Sequence, residues 1–561
     1  MLGKEKLKLV LCWHMHQPEY RDLQSGEFKL PWTYLHVMKD YVDMVAHLEA
    51  EPDAKVVVNF APILLEQIEE YARQINSFLH DRTPFTDPLL AALADDVSLV
   101  ATPLKTIKDC LKANRDRQIN RYPQFKRLAE TAELLIEKDI TEYVNAQFIA
   151  DLLMWYHLAW LGETVKLNDK RAQRLLAQGS NYAFEDRLEM LIIIADQLAH
   201  VLGRYKALAK KGQIELSVTP YSHPIIPLLL DINTTLEAMP HAPLPELESY
   251  PKGEERVLWH LEKGVKTFKR FFGFEPKGCW PSEGSVSDET IKILDKFGFD
   301  WTASGGAVLG NSLNLAENDH PESTFHPFQL KGTDINCFFR DDGLSDLIGF
   351  KYSTWHADDA VGNLISHLER IADREIPDAV VSIIMDGENA WEYFPENGIY
   401  FLSALYHRLS NHPRIEMTTF GECVKQNVKP KPLNKIVAGS WVYGTFSTWI
   451  GDTDKNRGWD MLGDAKKMFD HVTASKKFNA TLREKAELQL AVCEGSDWFW
   501  WFGDYNPGDA VSSFEEQFRL NLANLYYLLG ETPPAYLALS FTQGSGAPAM
   551  GGTMRQGTEE H

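Results

Sequence analysis

The sequence predicts an α/β protein: an incomplete, TIM-like (β/α)7 barrel with a helical insertion and a C-terminal helical domain. Three observations support this. Short β-type runs recur with helix-length material between them, as parallel βα units require. One of them, Val380 to Met385, is nearly continuously apolar, the pattern of a strand buried on both faces. The 561 residues exceed one small domain but suit an elaborated barrel with an appended region.

Leu7 to Trp13 is read as the first strand. Lys4 and Lys6 precede it as in a signal peptide, yet the run is short and ends on His14 without a small-residue cleavage site. Lys55 to Phe60 is the second strand. Pro62 to Lys211 then reads as helical throughout, with apolar residues at three-to-four spacing in segments such as Glu185 to Leu208. That is too long for one crossover, so it is expected to be an insertion. Ile214 to Thr219, Gly278 to Pro281, Phe299 to Ala303, Ile335 to Arg340 and Ala379 to Asp386 complete seven strands, and Ile415 to Thr419 leaves the count open by one. A Trp-rich loop follows from Gly439, and Thr481 to Cys493 and Ser513 to Leu529 have helical periodicity. The expected division is a barrel catalytic domain over 1–430 with its insertion at about 62–211, an aromatic loop and helical bundle over 431–543, and a flexible tail over 544–561.

Composition narrows the function. An apolar share of 44% and a charged share of 24% are those of a globular protein. Acidic residues outnumber basic ones 79 to 57, a formal charge of −22 that disfavours nucleic-acid and membrane-surface partners but not a neutral substrate. The six cysteines lie far apart with no CxxC pair, so buried free thiols in a reducing, cytoplasmic setting are expected. No run approaches the roughly 18 apolar residues of a membrane span.

In a parallel barrel the active site forms at the C-terminal ends of the strands. The residues there are His14-Met15-His16-Gln17-Pro18, Tyr221-Ser222-His223-Pro224, Glu283, Arg340-Asp341-Asp342 and Asp386-Gly387-Glu388-Asn389. Glu283 and Asp386 could divide the labour of glycosidic-bond cleavage, one attacking the anomeric carbon and the other, kept protonated by burial, protonating the leaving oxygen. Either could instead be a cap or ion-pair partner, since Ser282, Ser285 and Asp288 lie near a helix start. His14 and His16 flank Met15, so both imidazoles could face one zinc ion, but the barrel offers no second His pair and no HxxE-type cluster. Hydrogen bonding to sugar hydroxyls is the preferred reading for them, with no metal and no cofactor. Tryptophans next to strand ends or in the Gly439 to Gly458 loop, among them Trp280, Trp441 and Trp449, could stack on pyranose rings. The run Asp497 to Trp501 is expected to pack the helical region onto the barrel.

Five of these stretches, in order, resemble the signatures of glycoside hydrolase family 57, whose members act mainly on α-glucans with retention. They are His14-Met15-His16-Gln17-Pro18, Tyr221-Ser222-His223-Pro224, Cys279-Trp280-Pro281-Ser282-Glu283, Met385-Asp386-Gly387-Glu388-Asn389, and Gly439-Ser440-Trp441 through Trp449-Ile450-Gly451-Asp452. The resemblance covers roughly residues 7–540. It implies a seven-stranded barrel followed by a helical bundle, Glu283 as nucleophile, Asp386 as general acid/base and the fifth stretch as an aromatic substrate wall. The second stretch departs from the Gly-His-Glu form of many members and is similar to the amylase and amylopullulanase branch. The expectation is therefore a retaining hydrolase of α-1,4 and possibly α-1,6 glucans, with His14, His16, Gln17, His223 and Asp342 on sugar hydroxyls and Trp280, Trp441 and Trp449 stacking. A 4-α-glucanotransferase or branching enzyme on the same site, a metal-dependent hydrolase or deacetylase using the HxH motif, and a non-catalytic glucan-binding protein are the alternatives.

Overall fold

The computed structural model describes residues 6–94, 103–140, 144–314, 322–474, 479–547 and 549–557. Its frame is a ten-stranded sheet: β1 (Leu7–Met15), β2 (Val56–Phe60), β3 (Ile214–Val218), β4 (Gly278–Cys279), β5 (Trp301–Ser304), β6 (Phe328–Leu330), β7 (Asn336–Phe339), β8 (Val380–Asp386), β9 (Ile415–Thr418) and β10 (Lys431–Leu433). The spatial order is β10-β6-β7-β5-β4-β3-β2-β1-β8, with β9 paired to the first half of β1. Every pairing is parallel except β6 with β7. The seven expected strands are present, and β9 is the eighth that the sequence left open. The short β6 and β10 extend one edge and were not expected.

The sheet curls without closing. No ladder joins β7 to β8 among the described residues. Single contacts span the gap instead: the Asp341 N–H donates to the Ser382 carbonyl (2.7 Å) and the Arg340 Nε–H to the Ile384 carbonyl (2.8 Å). An incomplete barrel is thus the observed architecture.

Strand alternation sorts side chains between two cores. Val10, Cys12, Val57, Trp301, Phe338 and Ile384 form one apolar cluster with Trp280 and Phe420, which fills the inside of the curled sheet. Leu9, Leu11, Trp13 and Met15 belong to the larger core shared with the surrounding helices. Packing inside is tight at β4: a Cβ on Gly278 would meet the Trp301 ring at 1.8 Å, so only glycine fits there.

The expected insertion is helical, its longest members being Pro62–Asp81, Pro123–Glu137, Ala146–Trp160 and Phe184–Lys210. The C-terminal region comprises helices Thr453–Thr473, Ala480–Cys493, Ser496–Trp501 and Gly508–Leu529. A buried carboxylate pegs it to the barrel. Glu494 accepts hydrogen bonds from Arg256 (2.8 and 2.9 Å), His260 (2.8 Å) and the Tyr250 hydroxyl (2.6 Å). All six cysteines are buried and unpaired, and no described helix is long and apolar enough to cross a membrane. The closing segment, expected to be a flexible tail, is described over 544–547 and 549–557 and is hydrogen-bonded along its path, with Ser545 N–H donating to the Asp504 carbonyl (2.9 Å) and Gly557 N–H to Asp346 (2.9 Å).

Candidate active site

β1 and β8 lie side by side with His14 in register with Asp386, so the inward-facing parity of Val10 and Cys12 carries both side chains to the rim of the barrel. Gly387 then turns the chain. Its N–H donates to the His14 carbonyl (2.7 Å), and a Cβ there would meet the Met15 sulfur at 2.1 Å. Across the mouth, β4 ends and Pro281 leads into Glu283, whose φ of +58° lies in the left-handed region that non-glycine residues seldom adopt. Two bonds from Trp441 hold it there: the backbone N–H to the Glu283 carbonyl (3.0 Å) and the indole N–H to Glu283 Oε2 (2.9 Å). His223, after β3, also has positive φ, +64°. Glu283 and His223 thus hold strained backbone on one rim, and such strain clusters at functional sites.

The histidines form a connected group. His14 Nδ1 meets Asn59 Oδ1 (2.7 Å) and its Nε2 meets His223 Nε2 (3.1 Å), while His223 Nδ1 meets the Ser496 hydroxyl (2.8 Å). His16 Nε2 donates to Asp497 (2.8 Å), and its ring stacks on His223 with centroids 3.8 Å apart. Gln17 donates to Glu388 (3.2 Å).

Glu283 and Asp386 open into one cavity of about 520 Å³, together with His14, His16, Gln17, His223, Trp441 and Asp497. This is the size of a ligand pocket, and its aromatic walls are interleaved with many charged and polar side chains. Burial pushes the Glu283 carboxyl up to about 8, helped by the charge of Asp386, and the Trp441 indole opposes the rise. Burial likewise lifts Asp386 to about 6, against a hydrogen bond from Asn389 (2.9 Å). Glu388 is raised by burial and by Asp386, and its Oε2 is buried without a partner. Burial and their neighbours' charge hold His14 and His223 low, so both are neutral at ordinary pH. Both carboxyls are thus raised, and the charge of Asp386 acts on Glu283, the electrostatic pattern that paired-carboxylate chemistry uses.

Of the residues singled out from sequence, Glu283, Asp386, His14, His16, Gln17, His223 and Trp441 line this cavity, whereas Asp342, Trp280 and Trp449 do not. Asp342 accepts from Arg340 on one oxygen (2.7 Å) and from the Ala307 N–H on the other (2.9 Å), so it holds Arg340 in place from outside the cavity lining. Trp280 is wholly buried in the barrel interior, edge-on to Trp441 at 5.2 Å, and Trp449 is wholly buried behind Trp500. Neither offers a face for stacking.

Sequence reasoning missed the C-terminal contribution. On helix Ser496–Trp501, Trp498 and Phe499 pack inward, while Asp497, Trp500 and Trp501 line the cavity. The spacing 497, 500, 501 is one face of a helical turn, a signal present in the run but read as packing alone.

Residues 10–437 match the sequence profile described as glycosyl hydrolase family 57. The chain belongs to glycosyl hydrolase family 57. It is 24% identical over 265 residues to the 4-alpha-glucanotransferase of Thermococcus kodakarensis, covering 46% of this chain and 34% of that protein. It is 24% identical over 293 residues to a putative alpha-amylase of Methanocaldococcus jannaschii, covering 50% and 54%. The chain thus spans between a third and about half of the length of these curated relatives. Among solved structures, the family 57 branching enzyme of Pyrococcus horikoshii superposes with a TM-score of 0.56 at 16% identity, covering 95% of this chain and 93% of its own. The alpha-amylase AmyC of Thermotoga maritima gives 0.55 at 12%, covering 94% and 93%. These superpositions establish the shared fold.

Proposed function

We propose that this family 57 protein cleaves α-glucans by double displacement and passes the glycosyl group to a sugar hydroxyl, as a 4-α-glucanotransferase does. The observation that carries the reading is that Glu283 and Asp386 face one ligand-sized cavity closely enough for the charge of Asp386 to act on Glu283. Ionised Glu283 attacks the anomeric carbon as the glycosidic C–O bond breaks, and the leaving oxygen takes the proton of Asp386. Asp386, now a carboxylate, removes a proton from the incoming hydroxyl. That oxygen displaces Glu283 from the anomeric carbon, and both groups return to their starting state.

Of the two carboxyls Glu283 is raised the further, so it is the stronger proton holder. The mechanism therefore requires an entering sugar to move that proton to Asp386. Transfer in preference to hydrolysis is supported by the curated glucanotransferase relative and by the aromatic walls Trp32, Trp441, Trp500 and Trp501, which give a sugar acceptor surface that water does not use. The buried, unpaired cysteines fit a reducing compartment such as the cytoplasm.

The histidines are better placed to orient hydroxyls than to share a metal ion. His16, His223 and Asp497 offer ligand atoms within 4.8 Å of one another, but the two imidazoles are stacked within 16° of parallel, so their in-plane lone pairs do not converge. Both ring nitrogens of His14 are already engaged.

Incubation with maltoheptaose tests the reading. Oligomers both longer and shorter than the substrate are expected, unaffected by a chelator. Glu283→Gln is expected to lower turnover by at least about 10³-fold without unfolding the protein. Shorter sugars alone would convert the reading to hydrolysis, and ordinary turnover by Glu283→Gln would remove Glu283 as nucleophile.

A further inference from the structure

The segment after the C-terminal helices does not end at the surface of the helical region. It crosses to the rim of the barrel. Trp500 Nε1 donates to the Gly552 carbonyl (2.7 Å) at the start of the crossing. Arg555 lies over the rings of Trp500 (4.8 Å) and Tyr505 (4.9 Å) and donates to the Thr448 hydroxyl (3.3 Å). At the far side the Gly557 N–H reaches Asp346, the carboxylate that also takes Arg340 (2.6 Å).

The path is fitted as well as anchored. A Cβ on Gly557 would meet the Asp342 carboxyl carbon at 2.6 Å and an Arg340 nitrogen at 2.7 Å, and one on Gly546, where the segment leaves the helical region, would meet the Tyr505 carbonyl oxygen at 1.8 Å. Glycine at both places lets backbone lie directly on its support. Between these points Gly551, Thr553, Met554 and Arg555 form part of the wall of the cavity that holds Glu283 and Asp386. The charge of Arg555 also reaches Glu283, where it favours the ionised carboxyl.

From this arrangement we infer that residues 549–557 form a strap that closes one end of the glucan cleft, so that the enzyme engages the ends of α-glucan chains and not their interior. The inference deepens the proposed function and rests on it. A linear glucan bound across both carboxyls cannot continue through the strap, and the cavity's volume of about 520 Å³ is that of a small-ligand pocket, not of a through-groove for a polymer. With the strap removed, the same carboxyls would face an open groove between barrel and helical region. Arg555 and Met554 are thus assigned to chain-end selectivity.

The test compares the full chain with a variant ending at residue 548 and with Gly557→Leu, which displaces the strap without shortening the protein. Amylose as donor and excess maltoheptaose as acceptor are the substrates, and the readout is the fall in weight-average amylose length per glycosyl group transferred. The full chain is expected to shorten amylose from its ends. Both variants are expected to raise internal attack relative to terminal attack by roughly tenfold, within the range that one specificity contact supplies. An unchanged ratio in variants that still turn over both glucans overturns the strap and leaves the proposed function standing. No turnover of either glucan by any of the three proteins overturns the proposed function and the strap with it. Trypsin gives a reading independent of activity: the Arg555–Gln556 bond is expected to resist cleavage in the folded full chain, and cleavage as fast as in unfolded protein also overturns the strap.

Discussion

Replacing Trp441 by Phe isolates the one hydrogen bond that favours an ionised Glu283. Phe keeps an aromatic ring against Trp280 and Arg340 and keeps the backbone N–H on the Glu283 carbonyl, but it removes the indole N–H from Oε2. A hydrogen bond to a charged group contributes about 1.5–3 kcal/mol, and about 1.36 kcal/mol corresponds to one pKa unit, so Glu283 is expected to rise by roughly one to two units. In the singly protonated pair, the fraction with the proton on Asp386 and a free Glu283 carboxylate falls by the same free energy. The plateau of kcat/KM is therefore expected to drop roughly 10- to 100-fold. The two limbs respond differently. Loss of the last proton, which leaves from Glu283, sets the alkaline limb, so that limb moves upward. Loss of the first, from Asp386, sets the acid limb, which stays near about 6. A pH series of kcat/KM on maltoheptaose reads both limbs. If Trp441→Phe keeps the plateau and the alkaline limb of the unaltered protein, the indole does not control Glu283 and the charge argument fails.

Stability measurements extend the same reasoning. Glu283 has a folded-state value raised from 4.5 to about 8, so its contribution to stability is full below 4.5 and is lost as pH rises through about 8. Glu283→Gln is accordingly expected to raise the unfolding free energy at pH 8 by on the order of 2–4 kcal/mol in urea denaturation, with the gain vanishing below pH 4.5; no gain at pH 8 would show that the carboxylate is well solvated. Glu494 behaves in the opposite sense, because Arg256 and His260 hold it at about 2 in spite of its burial. Its stabilisation is present above 4.5 and is lost as pH falls through about 2. Glu494→Gln leaves Arg256 buried beside a neutral amide and is expected to cost about 3–5 kcal/mol at pH 7 by urea denaturation, a loss that shrinks in acid.

What the sequence made legible was whatever strand alternation encodes. Once Leu7–Met15 is a strand with Val10 and Cys12 inside, His14 must follow them to the rim, and the nearly continuous apolar run of β8 delivers Asp386 to the same place. The two-residue β4 is legible because Glu283 stands just past the short run Gly278 to Pro281, where a barrel strand would end. Strands β6 and β10 span only three residues each, too few for any period to show. Trp280 illustrates a different limit. Its position after β4 is the same evidence that placed Glu283, but the barrel interior is filled one layer below the carboxylates, and a tryptophan at that height is core, not a stacking platform.

The least legible parts of the site come from far along the chain. His16 and Asp497 are separated by 481 positions, and no local pattern couples them. What couples them is the docking of the helical region through Glu494, three residues before Asp497 and two before Ser496, the partner of His223. A carboxylate that receives Arg256, His260 and Tyr250 in a dry interface leaves the chain after it little freedom, so the next turn presents Ser496 to one histidine and Asp497 to the other. The barrel supplies Glu283 and Asp386, and the helical region fixes the histidines beside them. Weakening the Glu494 peg should therefore reduce turnover before it unfolds the protein, since a shift of about 1 Å in positioning groups costs far more in rate than in stability.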